Sequence, residues 1–132
     1  MGGNLDKAIA SLNKAVELKP DFAAAHNSLA MSLQRQGQLD EAGQSYQKAL
    51  AIEPENPEYL GNLASLQELQ GKLEEALANY RKALELNPDA REAAGSIGSI
   101  LLALGQPEEG LAMEQRGFGV VSFDLEQGVR IV

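Results

Sequence analysis

The sequence contains no cysteine and no tryptophan, one histidine, and only three tyrosines and three phenylalanines among its 132 residues. The absence of cysteine excludes disulfides, thiolate catalysis and cysteine-ligated zinc. His26 cannot make a zinc site by itself, and we expect it to pack in the core. We therefore expect no cofactor and no metal, and nothing in the sequence suggests an enzyme.

Long hydrophobic runs are also missing. No apolar stretch approaches the ~20 residues that span a bilayer, and the first residues lack the pattern of a signal peptide. We therefore expect a cytoplasmic protein that does not enter the membrane. The formal net charge of -8 disfavours nucleic acid, because binding to phosphates depends on lysine and arginine. Neutral or basic protein partners are favoured instead.

What the sequence does contain is a repeat. Gly3, Gly37, Gly71 and Gly105 are spaced by 34 residues, and other columns keep the same spacing. Alanines occupy one column, at residues 8, 42 and 76, and large residues another, at residues 12, 46 and 80. Prolines close three of the units, at residues 20, 54 and 88.

Each full unit contains two helical patterns separated by the glycine. Leu39, Ala42, Tyr46 and Ala49 recur at steps of three and four residues, which places them on one face of a helix. The glycine permits the left-handed backbone that ends the first helix, and the proline stops the second. Acidic pairs begin the second helices, where free N–H groups favour negative charge, so we interpret them as structural.

This period and these columns resemble the tetratricopeptide repeat family over residues 3–117. The resemblance implies an all-α, right-handed solenoid of helical hairpins, with about seven helices. It predicts a half repeat over residues 1–22 that holds only a second helix, full repeats over 23–56 and 57–90, and a degenerate capping repeat over 91–117. The related pentatricopeptide family, which binds RNA, is disfavoured by its longer unit and basic surface.

By the same resemblance, the first helices line an inner groove that binds a peptide or helical segment of a partner. The predicted groove residues are Asn27, Met31, Gln34, Glu58, Asn62, Ser65, Glu68, Glu92, Ser96 and Ser99. Among them, Asn27 and Asn62 can each offer a donor and an acceptor to a peptide backbone. The lysine and arginine that grip carboxylate tails in some family members are missing here. The glutamates instead predict a neutral to basic ligand.

The two ends of the chain predict self-association. Leu5, Ile9, Leu12 and Val16 form an apolar stripe on a helix that lacks its first-helix partner. Residues 118–132 alternate in polarity, with Phe123 and Leu125 on one side, and predict a short β-like hairpin that needs support. Both features favour a homo-oligomer, and a two-fold dimer in particular.

The leading hypothesis is therefore a non-catalytic protein-interaction scaffold. Two alternatives remain open at this point. In the first alternative, the chain is a structural module whose main role is self-assembly. In the second, it is a repeat fragment of a larger multidomain enzyme.

Overall fold

Residues 2–105 are described by a computed structural model, and they contain six α-helices: α1 (Gly2–Leu18), α2 (Ala23–Arg35), α3 (Leu39–Ile52), α4 (Pro57–Leu69), α5 (Leu73–Leu86) and α6 (Arg91–Ala103). The expected all-α architecture is confirmed. Helices α2 and α3 pack together as one hairpin and α4 and α5 as the next. Between hairpins, α1 contacts α2, α3 contacts α4 and α5 contacts α6, so the helices form a solenoid.

The turns inside the hairpins follow from glycine. Gly37, Gly71 and Gly105 have φ angles of +89°, +81° and +84°, in the left-handed region that glycine adopts without strain. Gly37 thereby lets the N–H of Gln38 donate to the Leu33 carbonyl at 2.9 Å, which satisfies an otherwise free carbonyl at the end of α2.

The start of α4 is fixed by a side-chain cap. The Asn56 Oδ1 accepts hydrogen bonds from the backbone N–H groups of Glu58 (2.9 Å) and Tyr59 (3.2 Å). Pro57 occupies the first helical position, where its missing N–H costs nothing. The predicted acidic pairs also lie where expected, in the first turns of α3 and α5.

The core is built from the repeated columns. Ala42 and Ala76 are fully buried, and Tyr46 and Tyr80 lie beside them in the hydrophobic clusters. Small residues at the alanine column let the paired helices approach closely, and the tyrosines fill space beside them in the same clusters. His26 is buried as expected, and its Nε2 lies 2.8 Å from the Pro20 carbonyl oxygen, which it donates to.

One glycine departs from its column. Gly3 is the second residue of α1 and lacks a positive φ, whereas its three counterparts have a positive φ and follow the ends of helices.

The predicted β-like hairpin of residues 118–132 and the seventh helix lie outside the described residues, and the hairpin is not borne out by any finding. Within residues 2–105, no helix is both long enough and apolar enough to cross a membrane.

Candidate functional site

A groove of about 980 Å³ lies between α4 and α6, with residues of α5 behind it. Seven of the ten predicted groove residues line it: Glu58, Asn62, Ser65, Glu68, Glu92, Ser96 and Ser99. Their spacing explains the grouping, because residues three or four apart share one face of a helix. The same face is repeated on α4 and α6, since the two helices occupy equivalent places in successive units.

Small residues make the groove deep. Gly61 and Gly95 line it, and a Cβ atom at Gly61 would meet no other atom within 4 Å. A ligand can therefore approach the α4 backbone more closely than a row of larger side chains would allow. The position also offers a way to block the groove, because a side chain added there would project into open space.

Tyr80 holds a carboxylate in the groove. Its hydroxyl donates to Glu68 Oε1 at 3.1 Å, which fixes a side chain of α4 from the neighbouring helix α5. Burial raises the pKa of Tyr80, hydrogen bonding with Ser96 and Ser65 opposes that rise, and the negative charge of Glu68 adds to it. The phenol therefore stays protonated and acts as a donor at neutral pH.

The preceding repeat has the same bond with a neutral acceptor. Tyr46 donates to Gln34 Oε1 at 2.9 Å, and burial raises the pKa of Tyr46 to about 12. Gln34 and Glu68 occupy the same column, so the change from amide to carboxylate adds a negative charge at the α4–α6 end of the solenoid. The tyrosine hydroxyl thus finds an acceptor at this column in both repeats, an amide oxygen in one and a carboxylate in the other.

Charge in the groove is predominantly negative. Among residues 2–105, four carboxylates line it, from Glu58, Glu68, Asp89 and Glu92, against the guanidinium of Arg91. These side chains come from α4, from α6 and from the loop before α6. They give the groove a potential that attracts cationic groups.

Three predicted groove residues lie elsewhere. Asn27, Met31 and Gln34 are on α2 and do not line this groove. Asn27 is only 6% exposed, its Oδ1 accepts a hydrogen bond from Asn62 Nδ2 at 3.0 Å, and its Nδ2 lies 3.6 Å from the sulfur of Met31. The two asparagines therefore bind each other across α2 and α4, and Asn62 is the one that reaches the groove.

Sequence reasoning missed several lining residues. Tyr80 belongs to the column of large residues and was not among the predicted groove residues, yet it lines the groove and its hydroxyl donates to Glu68. Asp89 lies in the loop before α6, and Arg91 is the first residue of α6. Both line the groove although they precede Glu92, the first groove residue predicted on this helix. Their place in the loop after Pro88 was visible in the sequence, but which side of the solenoid this loop faces depends on packing.

The predicted self-association stripe is largely turned inward. Ile9, Leu12 and Val16 pack as half-buried side chains against a cluster that includes Leu29 and Leu33 of α2. Leu5 is also half-buried, and Phe123 and Leu125 lie outside the described residues. Self-association through this stripe stays a prediction.

The repeat matches known families along most of the chain. A tetratricopeptide repeat model matches residues 21–89, a TPR repeat model matches residues 2–37, and a further tetratricopeptide repeat model matches residues 62–117. The chain belongs to the tetratricopeptide repeat family. Members of this family are typically non-catalytic scaffolds, and this tetratricopeptide repeat chain is a scaffold of the protein-interaction type.

Solved tetratricopeptide repeat structures share the fold. A crystal structure of MamA superposes with a TM-score of 0.84 at 23% identity, over 87% of this chain and 67% of MamA. A second MamA crystal structure gives a TM-score of 0.82 at 21% identity, over 96% of this chain and 67% of that one. PilF of Pseudomonas aeruginosa gives 0.80 at 28% identity, over 89% of this chain and 54% of PilF. The chain thus spans about two thirds of MamA and about half of PilF. No curated protein matches the chain.

Proposed function

We propose that the groove between α4 and α6 binds a peptide or helical segment of a partner protein, and that the segment carries lysine or arginine. The observation that carries this proposal is the groove itself, with about 980 Å³ of space and, within the part of the chain that the structure describes, four carboxylates against one guanidinium. Its volume lies at the upper end of ordinary ligand pockets, which suits several residues of a polypeptide.

Glu68 is the carboxylate best prepared for a cation. It is half-buried, and its hydrogen bond from Tyr80 holds it in place before a ligand arrives. A preorganised, partly desolvated carboxylate interacts more strongly with a cation than a fully solvated one does. Glu92 is exposed on α6, so the two carboxylates come from the two helices that form the groove.

Asn62 supplies the uncharged contact. Its Nδ2 is committed to Asn27, so the hydrogen bond orients the amide within the groove lining. A fixed side-chain carbonyl can accept from the backbone N–H of a bound peptide. Charge thus selects the side chains of the ligand, and the amide contributes to holding its backbone.

The test begins with a displayed library of random peptides selected on the 132-residue chain. We expect the enriched peptides to carry more lysine and arginine than the starting library. Calorimetric titration of one such peptide then compares the wild type with Glu68→Gln/Glu92→Gln. Each lost ion pair is worth up to about 1 kcal/mol, so the double variant should bind roughly tenfold more weakly.

The matched control is Glu74→Gln/Glu75→Gln, which removes the same charge from exposed residues of α5 outside the groove lining. It should bind as the wild type does. Gly61→Leu, which fills the groove, should abolish binding without unfolding the protein. Equal loss in the control, or unchanged binding by Gly61→Leu, would contradict a groove site.

A further inference from the structure

Three columns of the repeat carry larger side chains beside α2 than beside α4 and α6. The larger members of these columns are Asn27, Met31 and Asn62, and 34 residues later their smaller counterparts are Gly61, Ser65 and Ser96. The groove of about 980 Å³ lies at the smaller set, and neither Asn27 nor Met31 lines it. The position of the groove along the solenoid therefore follows from the size of these side chains.

The Asn27 amide shows what fits between two first helices of this solenoid. Its Oδ1 accepts a hydrogen bond from Asn62 Nδ2 of α4 at 3.0 Å, and its Nδ2 lies 3.6 Å from the sulfur of Met31 on α2. The side chain is buried. A planar group with hydrogen-bonding partners on both helices is thus accommodated between α2 and α4.

The equivalent place between α4 and α6 is open. Gly61 stands in the column of Asn27, and a Cβ atom added to Gly61 would meet no other atom of residues 2–105 within 4 Å. In the columns of the two partners of Asn27 stand the hydroxyls of Ser96 on α6 and Ser65 on α4. We call the space beside Gly61 that these two serines adjoin the Gly61 gap.

Hydrogen-bond acceptors border the Gly61 gap. Burial raises the pKa of Tyr80, and hydrogen bonds from Ser96 and Ser65 act against that rise, as donors to a phenol oxygen do. Since the two serines donate their protons to Tyr80, their oxygens keep lone pairs for the donors of a ligand.

A carboxylate completes the set of acceptors. Glu68 lies on the same face of α4 as Gly61 and Ser65, at steps of three and four residues, and it lines the same groove. The Tyr80 hydroxyl donates to its Oε1 at 3.1 Å, so the carboxylate is held in place while its other oxygen can accept from a ligand.

Arginine matches this arrangement better than lysine does. A guanidinium is planar, as the Asn27 amide is, and carries several N–H donors on a rigid fork. The ammonium of lysine is a compact and more strongly hydrated point charge. Neutral and charged acceptors on two helices suit donors that are spread over a plane, and the carboxylate favours a positive charge over a neutral amide.

We propose that the Gly61 gap is an arginine subsite, in which a guanidinium of the bound segment donates to Glu68, Ser65 and Ser96. The guanidinium takes the place between α4 and α6 that the Asn27 amide takes between α2 and α4. This inference rests on the proposed function and adds that the ligand carries arginine, rather than lysine, at one position.

The probes are peptides enriched from the random library on the 132-residue chain. Each is synthesised with arginine, lysine or citrulline at its most strongly enriched cationic position, because citrulline keeps the shape of arginine without its charge. Calorimetric titration should show binding weakened by about fivefold or more with lysine and by about tenfold or more with citrulline.

One pair of variants tests the place of the subsite. Gly61→Asn gives α4 the side chain that α2 carries in this column, so it should fill the Gly61 gap. We expect the arginine peptide to lose about fivefold or more in affinity and then to bind as the lysine peptide does. Ala24→Asn adds the same side chain at an exposed residue of α2 outside the groove lining and should change neither affinity.

A second pair removes a single acceptor and does not fill the gap. Ser96→Ala should weaken the arginine peptide by about three- to fivefold and leave the lysine peptide within about twofold. Ser28→Ala is the matched control, because Ser28 occupies the same kind of position on α2, is exposed and does not line the groove. It should bind both peptides as the wild type does.

The outcomes separate the subsite from the function on which it rests. Equal binding of arginine and lysine peptides by the wild type would overturn the arginine subsite and leave the proposed function standing. An arginine preference retained in both Gly61→Asn and Ser96→Ala, or lost equally in the two controls, would also overturn it. A library that enriches no cationic residue would contradict the proposed function, and the subsite with it.

Discussion

Helices α1 and α3 carry the same residues at several positions 34 apart, yet their surroundings differ. Among the described residues, Ala42 is fully buried and Ala8 is exposed. The sequence of each helix is therefore compatible with both situations. The difference comes from α2, which packs against α3 in the same hairpin and covers its alanine column.

The largest expected effect comes from enlarging the alanine. Ala42→Leu adds three carbon atoms to a site enclosed by Leu29, Ala30 and Leu33 and should lower the free energy of unfolding by about 1–3 kcal/mol. Ala8→Leu makes the same change on α1 and should stay within about 0.5 kcal/mol, because that site is exposed. Urea denaturation of both variants measures the contrast. Equal losses would mean that α1 is covered after all.

An intermediate effect is expected at the glycines. Gly37→Ala forces an L-residue to a φ of +89° and should destabilise the protein by about 1–2 kcal/mol. Gly3→Ala, inside a helix with open space around its Cβ, should leave stability unchanged or raise it by about 0.5 kcal/mol. Thermal unfolding, monitored by circular dichroism, measures the stability of both variants. A loss at Gly3 similar to that at Gly37 would show that Gly3 also has a positive φ.

The smallest effect concerns the tyrosine that α1 replaces with Leu12. Tyr46→Phe removes the hydrogen bond to Gln34 and should cost about 1 kcal/mol at neutral pH. Burial raises the pKa of Tyr46 from 10.0 to about 12, so the folded chain retains a proton that the unfolded chain loses, and stability falls as the pH rises from 10 to 12.

In Tyr46→Phe this alkaline loss should therefore be smaller than in the wild type, although Tyr59 and Tyr80, whose pKa values burial also raises, still contribute to it. Denaturant midpoints measured at neutral pH and through pH 10–12 test the prediction. Parallel curves for the two proteins would contradict it.

Much of the groove could be predicted from the sequence because groove positions are set by helix periodicity. Glu58, Asn62, Ser65 and Glu68 share one face of α4 by spacing alone. The pairing of Asn27 with Asn62 could not be predicted in this way. It joins residues 35 apart on neighbouring helices, so it depends on how far α4 is shifted along α2.

The same reasoning explains the apolar stripe of α1. Periodicity correctly places Ile9, Leu12 and Val16 on one side of the helix, but it does not say which neighbour they meet. In the structure they contact the cluster of α2, and the less covered side carries alanine and serine. A search for large apolar residues in the sequence therefore overlooks that side.

By itself, the sequence determined the repeat, the all-α hairpins, their turns at Gly37 and Gly71, and the acidic residues of the groove. These features follow from local backbone preferences and from side-chain spacing within single helices. Only the tertiary structure decided that Asn27 is buried against Asn62 and that the Tyr80 hydroxyl donates to Glu68. Each of these depends on whether a second helix lies alongside, and burial and hydrogen bonding between helices are properties of the pair.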